Sequence, residues 1–189
     1  MTRYGCDVDG VLADFNIAFI QRVIDINAKD LFPPRPFDIP TWDYPQSYGY
    51  TQLEVSDAWA SIIRDRTFWQ NLPAYEDTKK FLAQLSAESI KGNDVYFITS
   101  RPGVAAKYQT EWWLTVHGFI CTPTVLISSQ KGKCVSALQC DKYIDDRWEN
   151  ALDVATTTGS EVYLLDRPWN QRWETPTGIR RISTFNEMF

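Results

Sequence analysis

The apolar residues of this chain fall into short continuous runs and into longer stretches with a spacing of three and four residues. The first run, Arg3–Val8, predicts a buried strand, and residues 10–28 carry apolar side chains at helical spacing. The same alternation returns after Pro73. Further strands are predicted at 94–99, 124–128, 142–145, 161–165 and 180–182, and helices at 77–85, 104–116, 132–138 and 148–156. This pattern predicts an α/β fold, a Rossmann-like parallel sheet flanked by helices.

Residues 29–72 interrupt the alternation. Five of the ten prolines lie between Leu31 and Pro45, which excludes a regular helix there. Aromatic residues follow, and a helix is predicted at 54–66. We therefore expect one α/β core formed by residues 1–28 and 73–189, with residues 29–72 inserted as a small, mainly helical cap. Its aromatic rings either form the core of that lobe or stack on a planar ligand.

Composition and charge narrow the class of protein. The 189 residues are 44% hydrophobic and 23% charged, and no apolar run approaches the ~20 residues of a membrane span. The net charge of −5 argues against binding to duplex nucleic acid. The first strand starts almost at Met1, without a leader segment, so we expect a cytoplasmic protein that is not bound to a membrane. The four cysteines lack CxxC spacing, and with a single histidine they provide no zinc site.

Polar side chains follow several strands at the point where each strand ends. In a parallel sheet, ligands bind beyond these carboxyl ends. Taken singly, each group has an ordinary explanation, such as a helix cap or a solvated charge. The groups are Asp7 and Asp9, then Thr99, Ser100 and Arg101, then Lys131 and Lys133, and finally Asp145 and Asp146. Together they form an unusual set of acids, hydroxyl groups and a cation.

If these carboxylates lie close together, their negative charges must be neutralised. Asp7 and Asp9 are two residues apart and point the same way from an extended chain, so they share a proton, pair with a cation or bind a hard metal ion. Since only oxygen ligands are offered, Mg²⁺ is the expected cofactor. Lys131 with the hydroxyl groups of Thr99 and Ser100 would then hold a phosphoryl group.

The chemistry expected of such a site is phosphoryl transfer. Asp7 would attack phosphorus as a nucleophile, and Asp9 would protonate the leaving oxygen and later activate water. Gly10 would allow the sharp turn that this arrangement requires.

These motifs resemble those of the haloacid-dehalogenase superfamily of phosphatases. Asp7-Val8-Asp9 resembles its first motif, Thr99-Ser100 its second, Lys131 its third and Asp145-Asp146 its fourth. The resemblance implies an aspartyl-phosphate mechanism, with Mg²⁺ bound by Asp7, the backbone carbonyl of Asp9 and Asp146, and with Asp145 close by. It also implies that Arg101 joins Thr99, Ser100 and Lys131 at the phosphate.

The resemblance is closer to the 5'(3')-deoxyribonucleotidase branch, which implies a nucleotide as the small phosphorylated substrate. The residues expected around the base are Phe15, Phe19, Trp42, Tyr44 and Trp69. Two points differ or stay open. The second motif reads Thr99-Ser100-Arg101-Pro102 instead of Cys-Thr-Ser-Pro, so either hydroxyl group could meet the phosphate, and Lys131 is preferred to Lys133 only by its spacing to Asp145.

The primary hypothesis is therefore a Mg²⁺-dependent phosphatase of (deoxy)nucleoside monophosphates. The alternatives are a phosphatase of another small ester or of a polynucleotide 3'-phosphate, a phospho-accepting receiver domain, and a sugar-nucleotide transferase with a metal-binding D-x-D motif. A homodimer is one option for its assembly. The stretch Asp166–Trp173, which follows the fifth strand, is rich in aromatic and charged residues. It could serve either in packing or in contact with the substrate.

Overall fold

The computed structural model describes residues 1–27 and 48–189. Its six strands form one parallel sheet in the order β3-β2-β1-β4-β5-β6. The strands are β1 (Arg3–Cys6), β2 (Asp94–Thr99), β3 (Thr124–Ile127), β4 (Lys142–Asp145), β5 (Glu161–Leu165) and β6 (Ile179–Ile182). Because β1 lies between β2 and β4, the strand order reverses beside it. This reversal is the place where open α/β sheets bind their ligands.

Helices connect the strands. They are α1 (Phe15–Asn27), α2 (Gln52–Arg64), α3 (Thr78–Ile90), α4 (Ala106–Val116), α5 (Lys131–Leu138) and α6 (Trp148–Thr157). Short 3-10 turns cover Trp69–Asn71, Pro168–Asn170 and Phe185–Met188. The predicted α/β fold class is confirmed. Within residues 1–27 and 48–189, no helix is long and apolar enough to cross a membrane.

Alternate residues of the strands point to opposite faces of the sheet, and both faces are covered. On β4, Tyr143 packs with Val135 of α5 and Val154 of α6, whereas Ile144 joins the larger apolar cluster of the other face. This pattern explains why the strands are continuous apolar runs.

The first helix begins later than the sequence predicts. Residues 10–14 were expected to be helical, but α1 starts at Phe15. The backbone N–H groups of Leu12 and Ala13 both donate to the Val8 carbonyl, at 2.8 and 2.9 Å, and Gly10 has a φ of +84°. A closed turn thus separates β1 from α1, since the left-handed backbone at Gly10 is incompatible with a right-handed helix.

The inserted segment is described from Tyr48 onward. Its helix α2 starts with a capping box, in which the Thr51 side chain accepts from the Glu54 backbone N–H and the Glu54 carboxylate accepts from that of Thr51. Helix α2 packs against α1. Trp42 and Tyr44 lie outside the described residues, and the division into core and cap stays a prediction.

Candidate active site

The carboxyl ends of β1, β2 and β4 meet at the point where the strand order reverses. Asp7 directly follows β1, and its backbone N–H donates to the Ile144 carbonyl at 3.0 Å. This bond continues the ladder between β1 and β4, so Asp7 is held beside the end of β4, where Asp145 and Asp146 lie. The sheet register therefore brings residues from distant parts of the sequence to one edge.

Three of the predicted acids form a buried cluster. Asp7, Asp145 and Asp146 each offer a carboxylate oxygen, and these oxygens lie within 4.8 Å of one another. Asp145 and Asp146 have no exposed surface. Buried carboxylates so close together repel each other, which favours protonation or a bound cation.

Lys131 is the charged partner of this cluster. Its Nζ lies 2.6 Å from Asp7 Oδ1, and it also donates to the Ile98 carbonyl. Lys131 is the first residue of α5 and is buried, while Lys133 is exposed on the same helix. Of these two lysines, the structure thus brings Lys131 to Asp7.

The surroundings of Asp7 and Lys131 shift both of their pKa values. Burial raises the pKa of Asp7 to about 7, helped by Asp145 and Asp9 and opposed by Lys131. Burial alone would lower the pKa of Lys131, but Asp7 and Asp145 raise it above its usual value. These shifts favour a charged Lys131 beside an Asp7 carboxyl group whose pKa lies near neutral pH.

Asp146 is the acid whose environment fits a metal ligand best. Burial, followed by Asp145 and Asp7, raises its pKa well above the usual value. Its Oδ2 accepts the indole N–H of Trp169 at 2.8 Å, whereas its buried Oδ1 has no hydrogen-bond partner among the described residues. By contrast, both oxygens of Asp145 accept hydrogen bonds, Oδ1 from the Arg147 backbone N–H and Oδ2 from the Tyr143 hydroxyl group.

The space at Asp146 is shaped by Gly10. A Cβ atom at Gly10 would lie 2.1 Å from Asp146 Oδ2. The missing side chain lets the turn after Asp9 approach this carboxylate closely. The cluster of Asp7, Asp145 and Asp146 offers only oxygen ligands, and Asp146 Oδ1 has no hydrogen-bond partner among the described residues. Together with the excess negative charge of the three carboxylates, this arrangement fits a divalent cation.

Asp9 lies in a different environment from the other acids. Arg101 binds both of its oxygens, with 2.8 Å from Nη2 to Oδ1 and 2.9 Å from Nε to Oδ2. The Thr99 hydroxyl group donates to the same carboxylate at 3.2 Å. The backbone carbonyl of Asp9 is expected at the metal ion. Its carboxylate forms an ion pair with Arg101 and lies outside the cluster of Asp7, Asp145 and Asp146.

Two residues expected at the phosphate make hydrogen bonds within the protein, and their contact with a phosphate stays a prediction. Arg101 is 1% exposed and donates to Asp9 and to the Thr110 hydroxyl group. The Ser100 hydroxyl group is exposed and donates to the Ser128 carbonyl at 3.1 Å. Packing also holds the Arg101 side chain in place. Its guanidinium group lies over the Trp69 ring, 5.1 Å from the ring centroid, between the insertion and α4.

Three of the aromatic residues expected around a base, Phe15, Phe19 and Trp69, are described, and they are buried against one another. Phe15 stacks on Phe19 and on Trp69, with centroid distances of 5.2 and 5.7 Å. The Trp69 indole N–H donates to the Pro102 carbonyl at 3.1 Å. These rings thus form an aromatic cluster between α1 and the inserted segment. Their contact with a substrate stays a prediction.

The segment after β5 supplies functional contacts that the sequence reasoning did not assign. Trp169 binds Asp146 Oδ2, and the Asn170 side-chain amide donates to the Asp146 carbonyl at 2.8 Å. Arg167 donates to the carbonyls of Gly10 and Val11 at 2.8 and 3.1 Å. The signal in the sequence was the stretch Asp166–Trp173 after the fifth strand, for which packing and substrate contact were both open.

The comparisons agree with this geometry. A family model described as 5' nucleotidase, deoxy (pyrimidine), cytosolic type C protein matches residues 3–188. A candidate nucleotidase of Halalkalibacterium halodurans is 24% identical over 192 residues, which cover 98% of this chain and 89% of that protein.

Solved structures share the fold at low identity. The magnesium-bound hydrolase YfnB of Bacillus subtilis has a TM-score of 0.61 at 12% identity, covering 98% of this chain and 96% of its own. The phosphate complex of CbbY from Rhodobacter sphaeroides has a TM-score of 0.60 at 13% identity, covering 99% and 96%. These likenesses establish the fold.

A parallel sheet with two acids after its first strand, a lysine opposite them and an acid pair after the fourth defines a phosphatase of the haloacid-dehalogenase superfamily. Within that superfamily, the chain belongs to the 5' nucleotidase, deoxy (pyrimidine), cytosolic type C protein family. The predicted superfamily and its nucleotidase branch are thereby confirmed.

Proposed function

We propose that the protein is a Mg²⁺-dependent phosphomonoesterase that hydrolyses (deoxy)nucleoside monophosphates through an aspartyl-phosphate on Asp7. The observation that carries this proposal is the position of Asp7, which is paired with Lys131 and surrounded by Asp145 and Asp146 at the edge of the sheet. The family match favours it over the receiver and sugar-nucleotide transferase hypotheses.

Asp7 is the proposed nucleophile because it lies where β1 ends, in the middle of the charged groups. Its carboxylate oxygen forms a bond to phosphorus while the bond from phosphorus to the ester oxygen breaks. Lys131 Nζ holds Asp7 in position and places a positive charge beside the developing charge on the phosphoryl oxygens. Thr99, Ser100 and Arg101 are the proposed contacts of the phosphoryl group beside Lys131. Each of them would give up part of the hydrogen bonding that it makes within the protein.

Asp9 is the proposed proton donor and acceptor. It gives a proton to the leaving ester oxygen, then takes one from the water that attacks phosphorus and releases Asp7 and inorganic phosphate. In the structure, Arg101 and Thr99 hold the Asp9 carboxylate as an acceptor. Proton delivery therefore requires Asp9 to give up part of this pairing when substrate enters.

Asp7, Asp146 and the Asp9 backbone carbonyl are the proposed metal ligands, with Asp145 fixed behind them by its own hydrogen bonds. A bound Mg²⁺ would neutralise the acids and polarise the phosphoryl oxygens. The proposed substrate class is supported by the description of the family as a 5' nucleotidase, deoxy (pyrimidine), and by the nucleotidase name of the Halalkalibacterium halodurans relative. The same description supports a cytosolic location.

Phosphate release from a panel of 5'- and 3'-nucleotides, sugar phosphates and a 3'-phosphorylated oligonucleotide tests the substrate class. We expect hydrolysis of deoxynucleoside monophosphates with Mg²⁺ and its loss with EDTA, followed by recovery when excess Mg²⁺ is added. Metal-independent release, or release from sugar phosphates alone, would contradict the proposal.

Metal affinity should depend strongly on pH. Because burial raises the pKa of Asp7 to about 7, the metal-free site holds a proton that a cation must displace. Mg²⁺ affinity is therefore expected to rise from about pH 5 to about pH 8, by roughly tenfold per pH unit for each proton displaced. Calorimetry in two buffers with different ionisation enthalpies measures the protons released. Binding without proton release near pH 6 would show that Asp7 is already ionised.

A further inference from the structure

The turn after β5 makes two hydrogen bonds to Asp146. The 3-10 turn Pro168–Asn170 lies beyond the end of β5, beside the acid cluster. The indole Nε1–H of Trp169 donates to Asp146 Oδ2 at 2.8 Å, and the Asn170 side-chain amide donates to the Asp146 carbonyl at 2.8 Å. Both the side chain and the backbone of Asp146 are thus held from the same turn.

These contacts distinguish the two oxygens of Asp146. Oδ2 is bound by the indole group, whereas Oδ1 is buried without a hydrogen-bond partner in the described part of the chain. The turn at Gly10 lies close to the same carboxylate, since a Cβ atom there would be 2.1 Å from Oδ2. The indole hydrogen bond therefore favours the carboxylate orientation in which Oδ1 is available to an external ligand.

The turn itself is fixed from β6. Arg181 donates to the Asn170 side-chain oxygen at 2.6 Å and to the Asn170 carbonyl at 3.1 Å. The same guanidinium group pairs with Asp166 at 2.8 Å. Asn170 also donates to the Leu165 carbonyl at 2.7 Å, so the turn is tied to the end of β5. Trp169 thus extends from a rigid support.

An uncharged donor suits this position. Asp7 and Asp145 already surround Asp146, and a lysine or arginine there would compete with a metal ion for the carboxylate. The indole N–H provides one hydrogen bond, adds no net charge and excludes water, because Trp169 is buried.

We propose that Trp169 is a positioning residue, whose indole N–H occupies Asp146 Oδ2 and thereby directs Oδ1 toward the bound metal ion. The inference depends on the proposed function only for the presence of that ion. Outer hydrogen bonds of this kind orient metal ligands and typically change metal affinity by 10–100-fold when they are removed.

The test compares Trp169→Phe with Trp148→Phe. The first substitution keeps an aromatic ring but removes the N–H group that binds Asp146. The second removes an indole N–H that donates to the Glu174 backbone carbonyl at 3.1 Å, a bond that does not involve the cluster of Asp7, Asp145 and Asp146. Mn²⁺ binding to the substrate-free protein, followed by electron paramagnetic resonance, is the readout. We expect roughly 10-fold weaker binding for Trp169→Phe and wild-type binding for Trp148→Phe.

A second readout separates positioning from general damage. In Trp169→Phe, the Mg²⁺ concentration for half-maximal activity should rise, while kcat at saturating Mg²⁺ stays close to that of wild type. Equal Mn²⁺ affinity in wild type and Trp169→Phe would overturn the role of Trp169 and leave the proposed function standing. A wild-type protein that binds no Mn²⁺ would overturn the proposed metal dependence as well.

If Trp169→Phe does not fold, the wild-type protein still tests the inference. The indole N–H resonance of Trp169 should shift when Mg²⁺ is added, whereas that of Trp148 should not. A Trp169 resonance that stays unchanged at saturating Mg²⁺ would show that the indole group does not act on the metal carboxylate.

Discussion

Replacement of Asp7 by asparagine is expected to abolish phosphate release while the protein stays folded. An amide oxygen is a poor nucleophile, so the covalent step is lost, and kcat should fall by more than roughly 10⁴-fold, the order found when an enzyme loses its covalent nucleophile. Asparagine has almost the same shape as aspartate. Removal of the charge also relieves the repulsion that Asp145 and Asp146 exert on position 7, which offsets the weakened bond to Lys131.

The measurement is phosphate release from the best nucleotide of the panel, with circular dichroism and thermal unfolding on the same samples. Asp141→Asn is the matched control, because Asp141 is exposed and precedes β4 at the opposite end of the sheet, where it accepts the Arg3 backbone N–H at 2.7 Å. It should keep wild-type activity. Substantial turnover by Asp7→Asn would transfer the role of nucleophile to another group.

Much of the fold could be predicted because the strands carry a strong apolar signal. The predicted strands 94–99, 142–145 and 161–165 coincide with β2, β4 and β5. The first helix is the clearest difference. Leu12 and Ala13 have apolar side chains that suit a helix, but the Ala13 backbone N–H donates to the Val8 carbonyl, five residues back instead of four, and Gly10 has a φ of +84°. Side-chain periodicity does not reveal these departures of the backbone from helical geometry.

The site was predictable where a residue follows a strand end directly. Asp7, Thr99, Asp145 and Asp146 were placed by the sheet alone, because parallel strands bring their carboxyl ends to one edge. The partner of Arg101 was not predictable in this way. Its side chain was expected at a phosphate, yet Asp9, more than 90 residues earlier, offers a carboxylate within reach. Which of two anions an arginine meets depends on packing, here against Trp69, which no local pattern shows.

The two acids that follow β1, Asp7 and Asp9, therefore have different surroundings. Asp7 lies among buried acids with Lys131 as its cation, whereas Asp9 is held by Arg101 and Thr99. Two carboxylates with such different surroundings are suited to different tasks in one reaction. The structure thus gives a physical basis for assigning attack to one acid and proton transfer to the other.

Replacement of Lys131 by methionine is expected to reduce both activity and stability. Methionine fills a similar volume but leaves Asp7 buried beside Asp145 and Asp146 without its 2.6 Å ion pair. Loss of one partner of a buried pair typically costs ~3–5 kcal/mol of unfolding free energy. The kcat should fall by roughly 10²–10³-fold, the range for loss of one donor that stabilises charge in a transition state.

The same substitution at Lys133 is the matched control, because Lys133 is exposed two residues further along α5. Lys133→Met should keep both activity and melting temperature. In Lys131→Met, Mg²⁺ should raise the melting temperature more than in wild type, since the metal ion then supplies the positive charge that Lys131 provided to the three acids. A stable and active Lys131→Met protein would mean that Asp7 is neutralised by a proton rather than by the lysine. In that case, the Asp7 carboxyl group would have to lose its proton before it could attack phosphorus. The activity of Lys131→Met would then rise with pH around a higher midpoint than that of wild type, because Lys131 lowers the pKa of Asp7.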